Sequence, residues 1–193
     1  MKLTVKEIFY SLQGEGGRSG EASIFIRLTK CNLACEFCDT DFEGGNEMSI
    51  EEILDTIKLY PCKWIIWTGG EPTLQLTDLH LAFFREQGYK QAIETNGTRP
   101  VSSLIDYITC SPKQNYEKVK SIIPKVDEIR IPVADGDDIP DISIFPIATN
   151  YFLSPIFDGD KINGENVSYC VEYIQKYPEW RLSLQIHKLI HIE

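Results

Sequence analysis

Three cysteines within eight consecutive residues are the strongest chemical feature of this sequence. The stretch "LTKCNLACEFCDTDF", residues 28–42, places Cys31, Cys35 and Cys38 in a C-x3-C-x2-C pattern. Three thiolates on one short loop can hold three corners of a cubane iron–sulfur cluster and leave its fourth iron open to an external ligand. Structural zinc usually takes four closed ligands. An iron–sulfur cluster is the favoured interpretation, with a zinc site or no metal as the alternatives.

A fourth metal ligand would have to come from a histidine or cysteine outside the loop. The chain has only three histidines, all far from the cysteine triplet, and any of them could supply that ligand after folding: His80, His187 and His191. The remaining cysteines are scattered, and each is predicted to be a small buried hydrophobe: Cys62, Cys110 and Cys170.

Length and charge exclude several classes of protein. The 193 residues are predicted to form one domain, residues 1–193, and the 42% of hydrophobic residues exclude a disordered chain. The net charge of −10 argues against a nucleic-acid binder. No apolar run approaches the roughly 20 residues of a membrane span, and the N-terminus lacks a signal-peptide pattern. A cytoplasmic location is expected, where thiols stay reduced.

The elements that must position the cysteine loop alternate between strand and helix. A capping box of Ser49 and Glu52 predicts a helix start. A second helix is predicted with one apolar face, ending near Gly88: Leu76, Leu79, His80 and Phe83. A last helix is predicted from the spacing of four residues: Val167, Cys170, Val171 and Ile174. Strands are predicted in "ASIFIRLT", "KWIIWTGG", "QAIETNG", "DYITCSPK", "DEIRIPV", "NYFLSPI" and "RLSLQIH", and a short helical turn in "PVSSLI".

Repeated strand-then-helix units predict an α/β fold with a mainly parallel sheet and right-handed crossovers. About six to seven strands fit into the chain, too few for a complete eight-fold barrel. We therefore expect an open, partial TIM-like βα barrel. In such sheets chemistry gathers beyond the carboxyl ends of the strands. The candidate motifs follow four predicted strands: the cysteine loop, residues 69–72, residues 94–97 and residues 111–113.

Two of these motifs together resemble the radical S-adenosylmethionine (SAM) superfamily. The cysteine loop, with Phe37 before its last cysteine, matches that family's signature, and "WTGGEP" matches its glycine-rich element. The resemblance implies the radical SAM form of the open barrel, a [4Fe–4S] cluster held by the three cysteines, and SAM bound to its open iron. It also implies the cofactor contacts, with Glu71 near the methionine ammonium: Phe37, Cys38, Asp39, Gly69, Gly70, Glu71, Glu94, Asn96, Ser111, Pro112 and Lys113.

A narrower resemblance runs over nearly the whole chain. "FYSLQGEG", "CDT", Arg27 and "LQIHK" look like the 7-carboxy-7-deazaguanine synthase family, which acts in queuosine and 7-deazapurine biosynthesis. That family converts 6-carboxy-5,6,7,8-tetrahydropterin to 7-carboxy-7-deazaguanine with loss of ammonia, so the resemblance implies a carbon–nitrogen lyase. Arg27 would pair with the substrate carboxylate, and Thr40 would help to hold Mg²⁺. The other implied substrate contacts are Leu12, Gln13, Gly14, Glu15, Thr68, His187 and Lys188.

The resemblance also implies a mechanism and partners. One-electron cleavage of SAM would give a deoxyadenosyl radical, which would take hydrogen from C6 of the pterin and become 5′-deoxyadenosine. After ring contraction, 5′-deoxyadenosine would return a hydrogen to the rearranged pterin radical, which regenerates the deoxyadenosyl radical. The chemistry is thus carried by the cofactor, and no side chain is assigned as catalytic. Flavodoxin or ferredoxin would donate the electron, and the enzyme would be a homodimer. No nucleic-acid partner and no membrane partner are expected. Two segments depart from the family, "LSPIFD" (residues 153–158) and the C-terminal "LIHIE" ending at Glu193. A glycyl-radical activase and a non-catalytic zinc-binding module are the alternative functions.

Overall fold

The computed structural model of this chain describes residues 1–36, 38 and 41–192. Three residues named above as cofactor or metal contacts, Phe37, Asp39 and Thr40, lie outside the described residues, as does Glu193. The chain separates into two compact units. Unit 1 comprises Met1–Ser11, Ala22–Thr95 and Arg99–Ile108, and unit 2 comprises Leu12–Glu21, Asn96–Thr98 and Thr109–Glu193. That one domain covers residues 1–193 stays a prediction.

Unit 1 is a sheet with two helices, and its strands follow the order β3-β1-β2-β4-β5. β4 pairs in parallel with β2 on one side and with β5 on the other, whereas β1 and β3 pair antiparallel. The elements are β1 (Lys2–Leu12), β2 (Ala22–Leu28), β3 (Asn46–Ser49), α1 (Ile50–Ile57), β4 (Trp64–Gly69), α2 (Asp78–Glu86) and β5 (Lys90–Thr95). The last residue of β1 belongs to unit 2.

The core of unit 1 lies on one face of this sheet. Ile26 pairs with Trp67, which pairs with Ile93, and all three are almost completely buried. Alternate residues of a strand point to opposite faces. The residues between these buried positions therefore lie on the other face.

Helix α1 begins at its predicted cap, whereas the start of α2 was not predicted. The Glu52 amide donates to Ser49 Oγ, and the Ser49 amide donates to Glu52 Oε2, which confirms the capping box. In α2 the buried face is His80, Leu81 and Phe84, whereas Leu79 is 67% exposed. The predicted face of α2 was wrong at Leu79, because the contact of Phe84 with the Trp67 ring selects a different face for burial.

Unit 2 is built on parallel strands in the order β6-β7-β8-β9. Its elements, of which β6 begins in unit 1, are β6 (Tyr107–Cys110), α3 (Tyr116–Ile122), β7 (Glu128–Val133), β8 (Asn150–Pro155), α4 (Gly164–Lys176), β9 (Trp180–Leu182) and α5 (Ile186–Ile190). Over the described residues of both units, seven strands enter parallel pairs: β2 and β4 to β9. The predicted mainly parallel α/β sheet is confirmed.

One local prediction was wrong, and one helix was missed. The final strand ends at Leu182 instead of continuing to His187, which lies in α5. β9 ends there because its pairing with β8 stops at Leu153. Residues 103–104 form the predicted short turn, in which the Ile105 amide donates to the Ser102 carbonyl at 3.2 Å, and α3 was not predicted. In the described part of the chain, no helix has the length and apolar character needed to cross a membrane.

Candidate functional site

Three predicted site residues form a row on adjacent parallel strands of unit 1. Arg27 of β2 pairs in register with Thr68 of β4. Thr68 and Glu94 each follow the paired residues Trp67 and Ile93, so they point away from the face that those two share. The fold thus brings Arg27, Thr68 and Glu94 together on the sheet face opposite the helices.

The cysteine loop begins directly after β2. The Cys38 amide donates to the Cys35 carbonyl at 3.2 Å, which closes a tight turn between the last two cysteines. The Cys31 sulfur accepts from the Leu33 amide at 3.5 Å. None of the three is in a disulfide, and Cys31 and Cys35 are half-buried while Cys38 is exposed. Three reduced, accessible thiols on one loop are a donor set that fits a cubane cluster.

This donor set is not a ready-made site for a single ion. Among residues 1–36, 38 and 41–192, no three His, Cys, Asp or Glu side chains are grouped so that they could hold one metal ion. A cubane cluster spreads three thiolates over three separate irons, so its ligands need not converge on one point. A structural zinc site requires such convergence of four ligands.

The glycine turn after β4 packs against the start of the cysteine loop. The Gly70 amide donates to the Leu28 carbonyl at 3.0 Å, and the Glu71 amide donates to the Lys30 carbonyl at 2.9 Å. Gly69 has a φ of +111°, a conformation that favours glycine. A Cβ at Gly70 would overlap the Lys30 carbonyl oxygen. The motif therefore fixes the residues immediately before Cys31.

Glu71 has a structural role that its motif did not indicate. Its side chain is fully buried, and Oε1 accepts from the Thr73 amide at 3.1 Å, the Thr73 hydroxyl at 2.6 Å and the Thr95 hydroxyl at 2.8 Å. These bonds cap a short 3₁₀ turn and join the ends of β4 and β5. Contact between Glu71 and the cofactor stays a prediction.

The Gly70→Ala substitution tests the packing of this turn. We expect it to lower the free energy of unfolding by about 1–3 kcal/mol, because the new methyl group meets backbone rather than a flexible side chain. Urea unfolding of the purified protein measures the loss. Gly164→Ala is the matched control, since a Cβ there meets nothing within 4 Å. Equal stability of the two variants would contradict the packing described for Gly70.

In unit 2, Gly14 lies against the C-terminal helix. The Ile186 amide donates to the Gly14 carbonyl at 3.0 Å, and a Cβ at Gly14 would overlap the His187 ring. Gln13 is buried and exchanges backbone hydrogen bonds of 2.8 Å with Gly20 and Glu21. The structure thus brings Gly14 and His187 together. Two other predicted contacts of this group lie in different surroundings. Leu12 is 39% exposed, and the Lys188 ammonium donates to the Gly159 carbonyl at 3.2 Å.

Glu15 belongs to a network of largely buried charges in unit 2. Its carboxylate lies 3.3 Å from Arg130 Nε, accepts from Gln185 Nε2 at 3.3 Å and lies 3.5 Å from Ser154 Oγ. Arg130 also lies 3.5 Å from Glu128, which is 1% exposed and accepts from the Gly17 amide at 2.7 Å. These contacts attach residues 15–17 to β7, so Glu15 has an anchoring role besides any substrate contact.

The remaining predicted cofactor contacts follow β5 and β6. Asn96 is buried, and its Oδ1 accepts from the amide of Thr98 at 3.0 Å and from its hydroxyl at 2.6 Å. Lys113 Nζ donates to Ser111 Oγ at 2.6 Å, next to the buried Pro112. Both segments are therefore ordered by local hydrogen bonds at strand ends.

Of the three histidines, His80 lies in unit 1, as the cysteine loop does, and His187 and His191 lie in unit 2. His80 is buried in α2, where its Nδ1 accepts from the Thr77 amide at 3.1 Å and caps the helix, and burial lowers the pKa of His80. His191 ends α5 with a φ of +56°. Cys110 and Cys170 are buried as predicted, and burial raises the pKa of Cys170 to about 12. The prediction was wrong for Cys62, which is half-buried and donates to the Ala22 carbonyl at 3.0 Å.

Sequence reasoning missed two charged residues in each unit that contact predicted site residues or the segments next to them. Glu7 accepts from Arg27 Nε at 2.6 Å. Lys6 donates at 2.7 Å to both the Asp41 carboxylate and the Glu43 carbonyl, which holds the end of the cysteine loop and lowers the pKa of Asp41. Arg130 and Glu128 anchor residues 15–17 as described. Glu128 and Arg130 were predicted only as part of a strand, and Lys6 and Glu7 were assigned to no element. No local signal marks the partner of any of them.

Comparison with known proteins identifies the family. The model of the radical SAM superfamily matches residues 25–144. The 7-carboxy-7-deazaguanine synthase of Bacteroides thetaiotaomicron is 44% identical over 192 residues, covering the whole of both chains. The enzyme of the same name from Haemophilus influenzae is 41% identical over 99% of this chain and 94% of its own.

A solved structure supports the same assignment. The crystal structure of QueE from Escherichia coli matches with a TM-score of 0.77 and 25% identity, over 97% of this chain and 95% of that one. The match confirms the open, TIM-like radical SAM fold expected from the sequence. The chain belongs to the radical SAM superfamily and, within it, to the 7-carboxy-7-deazaguanine synthase family.

Proposed function

We propose that this chain converts 6-carboxy-5,6,7,8-tetrahydropterin to 7-carboxy-7-deazaguanine with loss of ammonia. The observation that carries the proposal is the 44% identity to a 7-carboxy-7-deazaguanine synthase over the full length of both chains. Full-length similarity includes the segments outside the cysteine loop, and those segments distinguish one radical SAM enzyme from another. A glycyl-radical activase or a zinc-binding module would not require it.

Membership of the superfamily implies a [4Fe–4S] cluster and SAM. When bound, they supply one-electron chemistry that side chains cannot perform. We propose Cys31, Cys35 and Cys38 as the cluster ligands. The proposed cofactor contacts belong to the cysteine loop, the glycine turn and the strand ends: Phe37, Cys38, Asp39, Gly69, Gly70, Glu71, Glu94, Asn96, Ser111, Pro112 and Lys113.

We propose two groups of substrate-binding residues, each located within its own unit. In unit 1 the planar guanidinium of Arg27 suits a carboxylate, and Thr68, its register partner, adds a hydroxyl. In unit 2 we assign residues 12–15 with His187, which packs on Gly14, and Lys188. These groups bind and orient the pterin and exclude water around it, and the cofactor carries out the bond cleavage.

Magnesium is the third proposed cofactor, with Thr40 as its protein ligand. A hydroxyl combined with substrate oxygens is a suitable set for this hard cation. We expect Thr40→Ala to assemble a normal cluster but to lose most of the stimulation of turnover by Mg²⁺. Initial rates with and without Mg²⁺ measure the effect, with Thr56→Ala in α1 as a control hydroxyl deletion. A Thr40→Ala enzyme that responds to Mg²⁺ like the parent contradicts the assignment.

The enzyme acts on a small molecule and needs a reductant. We propose flavodoxin or ferredoxin as the electron donor and a homodimer as the assembly. A cytoplasmic location belongs to the same proposal, because an iron–sulfur cluster requires the three thiols to stay reduced.

The activity itself is tested directly. Reconstituted protein is incubated without oxygen with SAM, a reductant, Mg²⁺ and the carboxy-tetrahydropterin, and the product is identified by mass spectrometry. We expect 7-carboxy-7-deazaguanine and released ammonia. Cleavage of SAM without conversion of the pterin would contradict the proposed substrate and favour an activase. A colourless protein that retains one zinc ion would contradict the radical chemistry.

A further inference from the structure

We propose that Glu7 is a positioning residue that orients Arg27 for the carboxylate of the substrate. The inference rests on the proposed function, because it takes Arg27 as the group that binds this carboxylate. Glu7 lies on β1, twenty residues before Arg27 in the chain. No motif of the sequence connects the two residues.

The geometry fixes one edge of the guanidinium. Arg27 Nε donates to Glu7 Oε1 at 2.6 Å, a short charge-assisted hydrogen bond. A guanidinium carries five N–H donors in a planar fork. Because Glu7 occupies Nε, the two terminal nitrogens keep donors for a second carboxylate.

Aromatic rings support the same orientation. The Arg27 Cζ lies 5.8 Å from the centre of the Phe9 ring, within the range of a cation–π contact. Phe9 stacks on Phe25 at 4.8 Å with an angle of 5° between the rings. Phe25 lies two residues before Arg27 on β2, so both strands contribute to the support. The guanidinium is therefore restrained by an ion pair at its Nε edge and by a ring at its face.

The exposure of the pair argues for a functional role. The Arg27 and Glu7 side chains are 23% and 48% exposed, and partly exposed ion pairs stabilise a fold little. Thr68, the register partner of Arg27, lies on the same sheet face. Loss of Glu7 should thus change how Arg27 binds a carboxylate while it leaves the fold nearly as stable as before.

The test measures binding, so it does not depend on turnover. The reconstituted protein, with SAM present, is titrated with 6-carboxypterin and, separately, with pterin that lacks the carboxylate. Fluorescence gives the Kd of each ligand. We expect Glu7→Gln to raise the Kd of 6-carboxypterin about tenfold, with no change for pterin. In an Arg27→Ala background, Glu7→Gln should have no further effect, because Glu7 acts through Arg27. The melting temperature should shift by less than about 3 °C.

A matched control removes the same charge elsewhere in unit 1. Glu47 pairs with Lys2 of β1 at 3.2 Å, with both side chains well exposed, and Glu47→Gln should leave both Kd values unchanged. An unchanged Kd in Glu7→Gln, or an equal loss for both ligands, would overturn the positioning role and leave the proposed function standing. Wild-type protein that binds both ligands equally would overturn the role of Arg27 and this inference with it.

Discussion

We expect the Cys35→Ala variant to assemble no cluster and to form no product. Cys35 is the middle ligand of the loop, so its loss leaves two thiolates for a cluster that needs three irons held by protein. The half-buried Cys35 lies at the turn closed by the Cys38 amide and its own carbonyl, and alanine preserves that backbone hydrogen bond. The expected effect is therefore on the cluster rather than on the fold. Iron and sulfide content after anaerobic reconstitution, with the visible absorbance, measures it.

Cys62→Ala is the matched control for this prediction. Cys62 is also half-buried, and its sulfur bonds to the Ala22 carbonyl within unit 1. Its removal should cost at most about 1 kcal/mol of stability and leave the iron content unchanged. A Cys35→Ala protein with full iron content and activity would contradict the assignment of the loop. Equal loss of iron in both variants would show a non-specific effect of cysteine removal.

The features predicted correctly from sequence depend on residues that are close along the chain. The capping box of Ser49 and Glu52 spans one helical turn, and the cysteine pattern spans one loop. The buried strands were recognised from short apolar runs ended by glycine, such as residues 64–69. Local spacing fixes such features directly, and the order of strands and helices then predicts a parallel sheet.

Elements with a mixed local pattern were missed. β1 contains the consecutive residues Ile8, Phe9 and Tyr10, so its second half lacks the alternation of a half-buried strand. In contrast, "RLSLQIH" alternates well, but the strand ends at Leu182. The next residue, Ser183, accepts from the Gly16 amide through its hydroxyl, and Ile186 bonds to Gly14. Contacts with a distant segment thus override the local pattern.

The charged partners of the site could not be predicted for the same reason. Glu7 and Arg27 lie on different strands, and Glu15 and Arg130 are separated by more than half of the chain. A carboxylate in a strand pattern has no local mark that identifies its cation. Only the register of the sheet decides which side chains meet, and register depends on the whole fold.

The network around Arg130 leads to the second large expected effect, on stability. Arg130→Met keeps most of the side-chain length and removes the guanidinium. Arg130 is 9% exposed and lies between the carboxylates of Glu15 and Glu128. Without it, Glu15 keeps only neutral hydrogen-bond donors among its described side-chain partners, Gln185 and Ser154. Removing one partner of a buried ion pair typically costs about 3–5 kcal/mol, and we expect a loss of this size in urea unfolding.

Two further variants separate this explanation from others. Asp55→Asn breaks the well-exposed ion pair with Lys58 in unit 1, and it should change stability by no more than about 0.5 kcal/mol. Adding Glu15→Gln to Arg130→Met removes one uncompensated charge, so the double variant should regain part of the lost stability. If Glu15 serves only as a substrate contact, Glu15→Gln will raise the KM and leave stability unchanged in both backgrounds. Recovery in the double variant would instead show that Glu15 holds residues 15–17 on β7 through Arg130, and that this buried pair stabilises the segment assigned to the pterin.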